Sequence, residues 1–148
     1  MKNSKVEYWI VEIISALLIL LFVYAATSKL LDYQKFQVQL SQSPMLTAFS
    51  RWIALIIPAV EILIAAMLAI PRFRLIGLYA SFSLLVMFTG YIIAITKFSD
   101  YVPCSCGGIL ENMGWNAHLI FNIFFAILDL AGIIIYSKSI EPKKFLLQ

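Results

Sequence analysis

Residues 52–96 read WIALIIPAVEILIAAMLAIPRFRLIGLYASFSLLVMFTGYIIAIT. Two long apolar runs stand back to back, with only Pro71-Arg72-Phe73-Arg74 between them. A helix needs ~17–25 apolar residues to cross a bilayer, so each run is long enough for one crossing. Lipid offers no partner to a backbone N–H or C=O, so helix is the expected form. Both runs are apolar on every face, unlike the striped helices of a water-soluble bundle.

The same reading extends in both directions. A first span runs from about Trp9 to Ala26, with helix continuing toward Leu31, and a last one from about Asn116 to Tyr136. The expected fold is therefore an all-α membrane protein. It is a four-transmembrane-helix bundle forming one integral-membrane domain over residues 1–148. The spans fall at about 9–26, 52–70, 75–96 and 116–136, with outer segments at 28–51 and 98–115. Composition agrees: 62% of residues are hydrophobic and 13% charged, against roughly a quarter charged in a soluble domain. The first run is too long for the h-region of a signal peptide, so it reads as a retained span. No nucleotide-binding glycine loop and no HExxH zinc motif occurs.

Charge sets the expected orientation. An even number of crossings puts both termini on one side, with Lys2, Lys5, Arg72, Arg74, Lys138, Lys143 and Lys144. The other side holds Lys29, Lys35, Arg51 and Lys97. The positive-inside rule places the richer side in the cytoplasm. The expected location is the bacterial inner membrane, with segment 98–115 facing the periplasm. Segment 28–51 mixes apolar and polar residues and reads as a helical extension or an interfacial helix, broken near Ser43-Pro44.

Both cysteines of the chain lie in Pro103-Cys104-Ser105-Cys106-Gly107-Gly108, in the second outer segment. Two thiols one residue apart suit thiol–disulfide exchange or a soft metal ion. A bridge across so small a loop removes little entropy from the unfolded chain, so a purely structural bridge is the weaker reading. Pro103 stiffens the approach, and the two glycines let another backbone come close. Zinc lacks a fourth ligand, since His118 is the one histidine; monovalent copper is the metal that remains.

His118 stands near the outer start of the last span, with Trp115 at i−3 and Asn122 at i+4 on one helix face. Asn116 is placed to cap that helix. A histidine near Cys104 or Cys106 can lower a thiol pKa or take its proton. The alternative is an interfacial histidine satisfied by water or a neighbouring helix. Glu61 lies mid-span two, Asp129 in the inner half of span four, and Glu12 one turn into span one. Acids at membrane depth face a bundle interior and often carry function. Functional proton movement is the reading for Glu61, and a structural role for Asp129 and Glu12: interhelical hydrogen bonding, or for Glu12 snorkelling to the inner surface. Trp9, Trp52 and Trp115 fall at span ends, as interface anchors do.

Ser28-Lys29-Leu30-Leu31-Asp32 with Phe36, followed by Pro58-Ala59-Val60-Glu61, resembles the pattern of the DoxX-like superfamily. Cys104-Ser105-Cys106-Gly107-Gly108 with Trp115, His118 and Asn122 resembles its MauE branch, in particular the short standalone members. Thr27-Ser28 stands where a glycine often precedes the lysine. The resemblance implies a membrane protein that supports maturation of methylamine dehydrogenase by assisting disulfide formation in its small subunit. The four-span plan is also similar to DsbB and vitamin K epoxide reductase, which couple disulfides to quinones. That is an analogy of architecture.

The expected function is therefore a membrane thiol–disulfide oxidoreductase. Cys104 and Cys106 form the redox centre, His118 tunes a thiol, and Glu61 assists proton movement. The partner is a periplasmic thioredoxin-like or substrate protein, within a membrane complex or a homo-oligomer. A quinone is the candidate cofactor. The alternatives are a non-catalytic assembly subunit and a Cu(I)-handling protein. No nucleic acid is expected to bind.

Overall fold

The computed structural model describes residues 2–43, 46–98 and 114–145, with side chains placed for 5–43, 46–98 and 114–139 among them. Every described element is helical: α1 Lys2–Leu31, α2 Tyr33–Gln42, a 3₁₀ turn Thr47–Phe49, α3 Ser50–Ala69, α4 Arg74–Phe98 and α5 Trp115–Phe145. The stretches long and apolar enough to cross a membrane are Lys5–Leu31, Thr47–Ala69, Arg74–Phe98 and Trp115–Ser139. All four outrun the ~20-residue minimum, which leaves room for tilt and for helix beyond the hydrocarbon.

The four long helices form a closed ring in cross-section. α1 packs on α3 and α5, and α4 packs on the same two neighbours from the other side. The core between them holds Leu18 and Phe22 of α1, Leu68 of α3, Leu78 and Leu85 of α4, and Ile133 of α5. Large apolar side chains cover the outside of every long helix, among them Leu20, Leu63, Ile76 and Ile127. In water these would be a liability; against lipid tails they cost nothing, and close packing must hold the helices together instead. Two glycines allow that approach. A Cβ on Gly77 would sit 3.0 Å from the backbone nitrogen of Leu68, and one on Gly132 would sit 3.1 Å from Cγ2 of Ile14.

The short turn between α3 and α4 marks one end of the bundle. There Arg74 is 4% exposed; Nη1 and Nη2 donate to the two Glu12 oxygens at 2.7 and 3.3 Å, and Nε donates to Leu68 O at 3.2 Å. Tyr136 Oη donates to Pro71 O at 3.2 Å and ties α5 to the same end. The first and last described residues therefore lie toward this turn end.

The opposite end is more elaborate. α1 stops at Leu31, and α2 starts after Asp32, which makes no side-chain cap. α2 buries Phe36, Gln39 and Leu40 at i, i+3 and i+4. Phe36 and Leu40 cluster with Ala54, flanked by Tyr33, Leu46 and Ile53. Segment 28–51 is thus an extension of α1 followed by a short helix folded against α3, ending at Gln42 just before Ser43-Pro44. α5 begins at Trp115, so Asn116 lies inside the first turn and not at the capping position expected for it. Cys104 and Cys106 lie outside the described residues.

Candidate functional site

Glu61 sits in the middle of α3, three residues after Pro58. Proline cannot donate to the carbonyl four residues back, so the ladder of α3 is interrupted just before the acid. Glu61 is 1% exposed, and its Oε1 accepts from Lys29 Nζ at 2.5 Å. Lys29 comes from the last turn of α1 and is 16% exposed. Its ammonium also lies 5.5 Å from the Phe88 ring centroid and 5.9 Å from that of Phe36. Both contacts are within cation–π range. Three helices and α2 thus surround one charge.

This corrects one expectation. The charge count places Lys29 among the loop charges of the outer side; the chain folds it inward as the counter-ion of Glu61. The physical reason is the cost of the acid: a carboxylate at this depth stays charged only if a cation comes with it. A lysine at i and a glutamate 32 residues later show no local pairing signal, so only the α1–α3 packing brings them together.

The pair lies in the wall of a cavity of about 380 Å³ between the helices at the loop end. His118, Asn122 and Trp115 line the same cavity, which confirms the shared face of α5. The His118 and Trp115 rings stack with centroids 6.4 Å apart. Asn122 Nδ2 donates to Leu85 O and to Thr89 Oγ1, both at 2.7 Å, locking α5 to α4. Among the described residues, two polar atoms of the site are buried without a hydrogen-bond partner: Glu61 Oε2 and His118 Nδ1. Trp115, expected as an interface anchor, is a wall of this cavity, whereas Trp9 and Trp52 are largely exposed on the outside of the bundle.

The three intramembrane acids do not form one relay. Glu61 pairs with Lys29, Glu12 with Arg74, and Asp129 with Ser81, which donates to its Oδ2. Asp129 and Ser81 are both fully buried, in the interior between α4 and α5. The structure therefore brings together Glu61 and His118, adds Lys29 to them, and leaves Asp129 and Glu12 with other partners.

A family model described as methylamine utilisation protein MauE matches residues 7–136. This chain belongs to the MauE family. The match runs from the second turn of α1 almost to the end of the last span, so it takes in every lining residue of the cavity. No curated protein and no solved structure matches the chain. A MauE-family protein with four membrane-crossing helices is thus a multi-pass membrane protein, in keeping with the membrane component of a methylamine-utilisation system. The segment with Cys104 and Cys106 joins α4 to α5, and its attachment points at Phe98 and Trp115 are on the loop end of the bundle, where the Lys29–Glu61 pair and His118 are found.

Proposed function

We propose that this MauE-family protein is a thiol–disulfide oxidoreductase of the bacterial inner membrane. Cys104 and Cys106 are its redox pair, on the periplasmic side. In the exchange, a thiolate attacks one sulfur of a disulfide and forms a mixed disulfide, displacing the other sulfur as a thiolate. The second thiol of the attacking protein then resolves the mixed disulfide, so two electrons and two protons pass from one protein to the other. The other protein is a periplasmic thioredoxin-like or substrate protein. His118, the one histidine of the chain and twelve residues after Cys106, is the candidate general base, and Glu61 with Lys29 is the charged group in the same cavity wall.

The observation that supports this reading is the site at the loop end. A histidine whose ring nitrogen has no partner among the described residues and a buried ion pair gather there, and the cysteine-bearing segment is attached to that end at both of its limits. Orientation draws on the charge count. With Lys29 and Arg74 set aside as ion-paired within the bundle, six Lys and Arg remain on the terminal side and three on the other. That favours the periplasm for the cysteines, the compartment in which disulfides persist.

The test is to express Cys104→Ser and Cys106→Ser singly and trap mixed disulfides in intact cells. One of the two is expected to capture a periplasmic protein, releasable by reductant. If neither captures a partner and the double serine variant retains full activity in cells, the protein is a non-catalytic assembly subunit. If instead the purified protein binds one Cu(I) and loses it in the double variant, metal handling replaces exchange.

A further inference from the structure

Protein interiors leave few voids larger than a water molecule. The cavity at the loop end is many times that size, so it needs an explanation. Its walls are mostly aromatic and aliphatic, with Phe36, Phe88, Tyr91, Trp115 and Phe121 among them. Among its described lining residues, Ile56 of α3 and Met87 of α4 are more than half exposed on the outer surface of the bundle. A second groove of about 360 Å³ runs along that surface between α3 and α4, from Val60 to Met67 and from Ala80 to Met87. Met87 belongs to both. A chamber with polar groups in its wall and an apolar groove on the outside of the bundle therefore meet at one side chain, Met87.

We propose that chamber and groove form one binding site for a membrane quinone, the ring held in the chamber and the isoprenoid tail in the groove. The chemistry selects this class. The charge of Lys29 is already matched by Glu61 at 2.5 Å, so the chamber has no net positive charge to hold the phosphate of a phospholipid. A neutral, flat ring suits aromatic walls. An ammonium has three N–H donors; one is used on Glu61, and the others can reach a ring oxygen, which accepts. Glu61 Oε2 and His118 Nδ1, buried and without a partner among the described residues, gain one when the ring carries hydroxyls. Lys29 is a binding residue, and Glu61 both positions it through Oε1 and contacts the ring hydroxyl through Oε2.

The binding does not depend on the cysteines. Use of the ring as electron acceptor does rest on the thiol–disulfide reading: Cys104 and Cys106 lose two electrons and two protons as their S–S bond forms, and the quinone takes up both to become the hydroquinone.

The experiment uses the full chain in nanodiscs with Trp9→Phe and Trp52→Phe, which leaves Trp115 as the single tryptophan and places the fluorophore in the chamber wall. Decylubiquinone and a short-tailed naphthoquinone are titrated in parallel, with far-UV circular dichroism to verify folding. Saturable quenching by at least one of them is expected. Ala25→Phe, which fills the chamber, should abolish it, and Lys29→Met with Glu61→Gln should weaken it at least tenfold. Asp129→Asn, remote from the chamber, should leave it unchanged. Quenching that rises linearly with quinone and is the same in all variants overturns the site. If Ala25→Phe fails to fold, the Lys29–Glu61 double variant decides by itself. A Cys104→Ser, Cys106→Ser variant that still binds quinone keeps the site even if no thiol exchange is found. Thiol exchange without saturable binding removes the site and leaves the exchange reading standing.

Discussion

Replacing Lys29 by methionine takes the counter-ion from an acid that is 1% exposed, while keeping most of the side chain's length. Removing one partner of a buried pair costs ~3–5 kcal/mol, because the other charge stays behind unpaired. Two features put this site at the low end. Lys29 is 16% exposed, so the pair is not wholly dry. A stranded carboxylate can also take up a proton, which limits its penalty. Lys29→Met should therefore cost about 3 kcal/mol. Glu61→Gln strands an ammonium that has the rings of Phe36 and Phe88 beside it, and should cost about 2 kcal/mol. With both substitutions present no charge is left unpaired, and stability should return to within about 1 kcal/mol of the starting protein. The assay is reversible unfolding in mixed micelles of dodecylmaltoside and sodium dodecyl sulfate, followed by helical circular dichroism, as a double-mutant cycle. The expected signature is a coupling energy of several kcal/mol between two residues 32 positions apart. Strictly additive single costs would show that the two charges do not meet, and would refute the account of the site. A double variant that is stable but no longer exchanges thiols in cells would show that the pair is kept for function.

Two further outcomes follow from the packing and can be read in the same assay. Gly77→Ala puts a Cβ 3.0 Å from the backbone of Leu68, which cannot step aside, and should cost about 1–3 kcal/mol; Gly90→Ala, with nothing within 4 Å, should stay within about 1 kcal/mol of the parent. At the turn end, Glu12→Gln strands a guanidinium that is 4% exposed, whereas Arg74→Met leaves a carboxylate that is 41% exposed and can be hydrated. The glutamate substitution should therefore be the more damaging of the two, by about 1–2 kcal/mol; the reverse order would mean that Arg74 is solvated there.

The architecture was legible because the membrane constrains it so strongly. A run of apolar residues the length of a bilayer has one stable form, and four such runs with a four-residue turn between the middle two leave little choice of topology. The face shared by Trp115, His118 and Asn122 was equally readable, since residues three and four apart on a helix must be neighbours. The break before Pro44 and the helical extension of span one were visible for local reasons of the same kind.

What the chain alone determined, then, was everything governed by spacing along one helix or by length against the bilayer: the four crossings, the charge bias between their ends, the isolation of Cys104 and Cys106 in one connecting segment, and the depth of Glu61, Asp129 and Glu12. What tertiary structure alone decided was the partner of each buried charge. Lys29 left its place as a loop charge to meet Glu61, Arg74 took Glu12, and Ser81 took Asp129. Each pairing joins two different helices. Which side chains meet across helices depends on how the helices rotate and approach, and that is set by close contacts such as Gly77 on Leu68 and Gly132 on Ile14. The chamber beside Lys29 is a product of the same rotations, because an empty volume belongs to no residue and has no signature in the order of the amino acids.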